Sequence, residues 1–86
     1  MKSPSAYGYV LSDEVFAVLL KLSKRQQRRL VVEFERLARH PNASGRYSEK
    51  DAEGHTIQFH LDRGWWIGCW VDHAVREVRI VQLVEP

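Results

Sequence analysis

Eighty-six residues suffice for one small domain with a single core, so residues 1–86 are read as one domain and not two. A hydrophobic content of 44% with 28% charged residues is that of a globule, and a formal charge of only +2, from 13 basic and 11 acidic residues, excludes a globally polycationic nucleic-acid binder. One cysteine leaves no internal disulfide, no apolar run nears the roughly 20 residues needed to cross a bilayer, and the opening Met1-Lys2-Ser3-Pro4-Ser5 lacks a leader-like apolar core; cytoplasm is the expected compartment, with no membrane partner.

Ala6 to Leu11 reads as a short strand, with Tyr7, Tyr9 and Leu11 on one side and Gly8 and Val10 on the other. Ser12 is placed as an N-cap, and Asp13 and Glu14 put negative charge where the helix dipole favours it. Val15, Phe16, Leu19, Leu20 and Leu22 follow at helical spacing, so a first helix is expected from about 13 to 22. With so little polar surface it should lie between other elements. Ser23-Lys24-Arg25-Gln26 fits a capping box and opens a second helix that runs to about Arg39 and stops before Pro41. Its buried stripe is Leu30, Val31, Phe34, Leu37 and Ala38, and its charged remainder sets Glu35 and Arg39 in an i,i+4 pair worth ~0.3 kcal/mol. The caps leave no linker, so the two helices form an αα-hairpin.

His40 to Gly45 is a loop by composition, in which Asn42-Ala43-Ser44 reads as a chance sequon. Arg46 to Asp51, polar but for Tyr47, is an edge strand or an ordered loop, and Ala52-Glu53-Gly54 is a turn. The period then becomes two: Ile57, Phe59 and Leu61 point one way, toward the core, and Thr56, Gln58 and His60 the other. Asp62-Arg63-Gly64 reads as a three-residue hairpin loop. The stretch from Gly64 to Asp72 holds all three tryptophans and reads as the central strand, with Trp65, Ile67, Cys69 and Val71 on one face and Trp66, Gly68, Trp70 and Asp72 on the other. A second hairpin loop covers roughly His73 to Arg76. Val78 to Val84 is the last strand, whose faces stay unassigned because Arg79 and Gln82 have opposite parity. The expected class is α+β: an N-terminal strand, an αα-hairpin, then an antiparallel β-meander packed on the helices, its far side free to meet another molecule.

That order resembles the RelE/ParE superfamily of toxins from bacterial type II toxin-antitoxin systems, over nearly the whole chain from Tyr9 to Leu83. The resemblance is carried by Leu11-Ser12-Asp13-Glu14-Val15-Phe16-Ala17-Val18-Leu19, by Phe34-Glu35-Arg36-Leu37-Ala38-Arg39-His40-Pro41, and by Trp65 to Asp72 continued by Arg76-Glu77-Val78-Arg79-Ile80. It implies a RelE/ParE-like fold, a cognate antitoxin protein as partner and one of two actions. RelE-like members inhibit translation as metal-independent endoribonucleases that cut mRNA on the ribosome, using basic side chains on the sheet and a C-terminal segment. ParE-like members poison DNA gyrase and lack that basic set. Position by position, this chain has Trp66 where the central strand often carries arginine, and Gln58 and His60 where two basic residues alternate; the basic and aromatic C-terminal continuation falls at Val84, Glu85 and Pro86. A catalytic toxin, a gyrase-type binder and an inactive antitoxin-binding module all follow from this pattern.

Metal-free RNA cleavage needs a base for the 2′-hydroxyl, an acid for the departing 5′-oxygen and cations for the crowded phosphorus, and it requires no cofactor. His60 is the candidate for proton transfer, expected beside Gln58 on the non-core face. Arg63 at the hairpin tip, with Arg46 and Lys50, is expected to neutralise phosphate, and Tyr47 or Trp70 to stack a base. The competing reading makes His60 a half-exposed strand residue and the cations solubilising surface. Trp66 and Trp70 either finish the core or line a groove for the antitoxin. His55, His60, Cys69 and His73 match no standard metal-ligand spacing, and Cys69 is expected as a buried thiol.

Overall fold

Both helices begin where a serine side chain replaces the missing turn. In the computed structural model, which describes residues 6–86, Ser12 accepts from the Val15 amide, and Ser23 and Gln26 form the reciprocal capping box. Residues 1–5, on which the expectation of no leader-like core rests, lie outside the described residues. The elements in chain order are β1 (Gly8–Leu11), α1 (Asp13–Leu20), α2 (Lys24–Arg39), β2 (Tyr47–Lys50), β3 (Thr56–Asp62), β4 (Trp65–Asp72) and β5 (Glu77–Val84). The strands form one sheet in the order β1-β5-β4-β3-β2, with β1 parallel to β5 and every other neighbour antiparallel. This is the expected α+β arrangement of strand, helical hairpin and meander, with the polar segment after Gly45 resolved as an edge strand.

The helices rest on one side of the sheet, against β1 and β5. Val15, Leu19, Leu30, Phe34 and Leu37 meet Trp65, Ile67 and Cys69 of β4 and Val78, Ile80 and Leu83 of β5 in one apolar cluster. At about 25 cal/mol per Å² of apolar area removed from water, this cluster is the main favourable term for the fold. Gln27 ties the hairpin together, its Nε2 donating at 2.9 Å to the Leu19 carbonyl, which also accepts from the Leu22 amide, and at 3.3 Å to the Leu22 carbonyl.

The sequence reading of α1 needs correction. The helix ends at Leu20 and is covered on one face only, by Val15 and Leu19, while Phe16 is 51% and Leu20 62% exposed. It lies on the sheet rather than between elements. On α2 the ion pair formed is Glu33 with Arg36, at i,i+3, not Glu35 with Arg39.

A second correction concerns β3. Asp62 pairs directly with Trp65, so the loop is Arg63-Gly64, two residues with φ of 51° and 89° as a type I′ turn requires. A three-residue loop would set His60 opposite Trp66; the shorter turn sets it opposite Ile67, and Gln58 opposite Cys69. One residue of slip exchanges the faces of a strand. Gln58 and His60 therefore point toward the helix side, and Ile57, Phe59 and Leu61 toward the other face.

There Phe59 is 3% exposed without any helix above it. Tyr47 stacks on its ring at 4.7 Å and 10°, and Gly68 opposite leaves the room it fills, since a Cβ at Gly68 would stand 2.9 Å from Phe59 Cε1. In β5 the partner of Gly68 is Gln82 and that of Cys69 is Ile80, so Val81 is an extra residue, a β-bulge. The bulge is why Val78, Ile80 and Leu83 all face the helices although their spacing breaks period two.

Candidate functional site

The two-residue turn does more than set faces. Because β3 and β4 are held in register back from it, His55, just before β3, and His73, just after β4, reach the same end of the hairpin. The end of α2 brings His40 to that end, and β3 itself carries His60. All four histidines of the chain border one cavity of about 340 Å³ beside the His40 to Ser44 loop, with His60 on the helix-side face of β3 and His55 reaching the border from the far side, where it lies on Trp70. Thr56, Gln58 and Trp70 also border it, and among the described residues no lysine or arginine does. An adjoining groove shares His40 to Ala43 and carries Arg36 and Arg39 on its outer side.

His60 is 8% exposed. Burial, followed by the Arg36 charge, holds its pKa below the usual histidine value, with Glu33 opposing. The imidazole is therefore neutral at neutral pH and free to accept a proton. Gln58 is fixed by its Oε1, which accepts from the Gly45 amide at 2.9 Å, leaving its NH₂ for another partner. His55 is held by Asp51, 2.9 Å from Nδ1 to Oδ2, and lies flat on Trp70 at 3.7 Å and 8°. His73 Nδ1 stands 2.7 Å from the Tyr7 hydroxyl. Burial pushes the Cys69 thiol up to about 11, so at neutral pH it is protonated and not a nucleophile. Chemically, the cavity offers weak bases and hydrogen-bond donors without permanent positive charge.

Of the residues singled out in the sequence, the structure brings Gln58 and His60 together on the helix-side face at this cavity, while Trp70 points to the far face and touches only the cavity's border. Lys50 pairs with Thr56 at its border. Arg63 sits at the β3–β4 turn, the opposite end of the hairpin from His55, and Arg46 is exposed where its amide meets the Phe59 carbonyl. Tyr47 and Trp66 belong to the other face, edge to face at 5.3 Å. Trp70 already carries partners on its ring, His55 in parallel contact and the Arg79 guanidinium at 5.6 Å. That arginine is also balanced, 3.0 Å from Glu77 and 3.9 Å from Asp72. His40 was not singled out, and its signal was its place at a helix end followed by Pro41. His55 and His73, which read from the sequence only as candidate metal ligands, reach the same end of the hairpin because the turn at Arg63-Gly64 has two residues.

The chain matches no family model and no curated protein. Among solved structures it is similar to a chain of the archaeal RelE-RelB complex from Pyrococcus horikoshii OT3, with a TM-score of 0.70 over 94% of each chain at 13% sequence identity. The fold is RelE-like.

Proposed function

We propose that this chain is the toxin-like component of a type II toxin-antitoxin pair, that its residues 1–86 act as one domain in the cytoplasm, and that its target is mRNA. The observation that carries the reading is the RelE-like fold over 94% of the chain, with a histidine-lined cavity on the strands where the resemblance places basic residues. The matched chain was solved in a RelE-RelB complex, which supports an antitoxin as partner here.

In this reading His60 takes the proton of the 2′-hydroxyl, whose oxygen attacks the adjacent phosphorus. A second cavity histidine, His40 or His73, gives a proton to the departing 5′-oxygen, and the products are a 2′,3′-cyclic phosphate and a 5′-hydroxyl. Gln58 donates to the phosphate through its NH₂. Lys50, beside Thr56, and Arg39, on the adjoining groove, hold flanking phosphates, with Arg63 and Arg46 further along the chain's path.

Expression without a partner protein should arrest growth, and His60→Gln should lower mRNA cleavage on translating ribosomes by about 10²-fold. Undiminished cutting by that variant would remove His60 from the mechanism; normal growth at high expression of the folded protein would remove the toxin reading.

A second reading is favoured by the opposite face of the sheet. Trp66 pairs with Leu61 on β3 and Val84 on β5, and Tyr47 closes the cluster. Leu61 is 41%, Tyr47 44% and Val84 50% exposed, a contiguous apolar patch suited to a protein such as gyrase or the antitoxin. Growth arrest that survives His60→Gln and is lost on Trp66→Ala would select this binding function over RNA cleavage.

A further inference from the structure

A cavity bordered by every histidine of a chain and, among the described residues, by no lysine or arginine does not bind an anion in the way a guanidinium cluster does. Its attraction depends on protonation. Groups facing it decide how far. From α2, Arg36 and Glu33 act on His60 and are paired with each other, so they leave little net charge there. From the β2–β3 turn, Asp51 binds His55, and Glu53 lies 3.9 Å from the same ring nitrogen. From β4 and its following loop come the protonated Cys69 thiol and His73, the latter bonded to the Tyr7 hydroxyl, while Asp72 lies on the far face beside Arg79. His40 is exposed at the end of α2. With His55 committed to Asp51, the histidines left to receive a ligand are His40, His60 and His73.

We propose that this cavity is an acid-gated phosphate site, taking a phosphate group when two or more of His40, His60 and His73 are protonated and releasing it when they are neutral. The polar border fits that ligand: Gln58 presents a free NH₂, and Thr56 and Ser44 add hydroxyls. The pattern replaces permanent charge by imidazolium, so affinity for phosphate should follow proton uptake rather than salt alone. This inference deepens the RNA reading, resting on it for its biological meaning, and makes RNA engagement strongest in mildly acidic conditions.

The test uses the purified full chain and inorganic phosphate as probe, at constant ionic strength set with chloride, so it needs neither ribosome nor partner. Histidine Cε1–H NMR signals are followed from pH 5 to 8 with and without phosphate. The expected result, after allowance for the change of phosphate from dianion to monoanion over this range, is binding about tenfold tighter at pH 5.5 than at pH 7.5 for each imidazolium required, with the His40, His60 and His73 midpoints moved to higher pH by phosphate and that of His55 unmoved. His40→Gln and His73→Gln, both at exposed positions, should each reduce the pH dependence about tenfold while leaving the remaining histidine signals dispersed as in the folded protein. Affinity that is flat with pH, or midpoints of those three histidines that phosphate does not move, would overturn the proposal. Loss of mRNA cleavage with this titration intact would instead count against the RNA reading alone.

Discussion

The two halves of the sheet bury opposite kinds of residue on the same side. Under the helices, β1, β5 and β4 present Leu11, Ile80, Val78 and Ile67. Beyond them, β3 presents Gln58 and His60 to that side and turns Ile57 and Phe59 to the other. The difference follows from coverage. α1 and α2 pack on β1 and β5, so β3 and β2 extend past the helical layer and their helix-side face meets the end of α2 and its loop. A polar face there costs little, and the apolar residues of β3 find shelter on the far side under Tyr47. The chain thus has a structural half and a half whose polarity is inverted around a cavity.

The strongest test of that inversion compares one aromatic from each side. Phe34 is 0% and Phe59 3% exposed. Phe34→Ala should cost about 4 kcal/mol, as a full core cavity does, and Phe59→Ala about 3 kcal/mol because Tyr47 can settle into part of the space. Chemical denaturation measures both, and a Phe59 loss below about 1 kcal/mol would mean the far face holds no second core.

Acid titration sharpens the same contrast at His60. Its folded pKa lies below the ordinary value because burial disfavours the charged ring, so the unfolded chain takes up the proton first. Stability from this group is complete above about pH 6.5 and falls as pH drops below it, until the folded value is passed. His60→Gln should flatten that part of the stability curve; an unchanged acid slope would show that His60 is not held neutral by its surroundings. The smallest effect concerns the turn. Arg63 holds φ at 51°, which asparagine tolerates better, so Arg63→Asn should raise stability by about 0.5 kcal/mol in thermal or urea melts. A fall would assign the Arg63 side chain a contact that the turn geometry alone does not need.

The α+β class, the element order, both helix caps, the faces of β4 and the burial of Cys69 were legible because periodicity and capping are local signals. The faces of β3 were not, because they hang on the length of one turn: Arg63 at positive φ is an unusual first residue for a type I′ turn, and without it the loop reads one residue longer. The longer loop would put His60 on the Trp66 face, whereas it lies opposite Ile67. The faces of β5 were hidden by the bulge at Val81, which no local pattern announces. The cavity was out of reach for a further reason, since His40, His55, His60 and His73 come from three separate parts of the chain and meet only through the register of β3 with β4 and the stop at Pro41.

The central claim is that nucleic acid meets this protein on the helix side of the inverted half. Titrating a short single-stranded RNA into isotopically labelled protein at pH 6 and recording amide and histidine shifts tests it directly. The account predicts shifts concentrated at His40 to Ser44, His55 to His60 and Asp72 to His73. Shifts confined to Tyr47, Leu61, Trp66 and Val84, with the histidines unmoved, would contradict it.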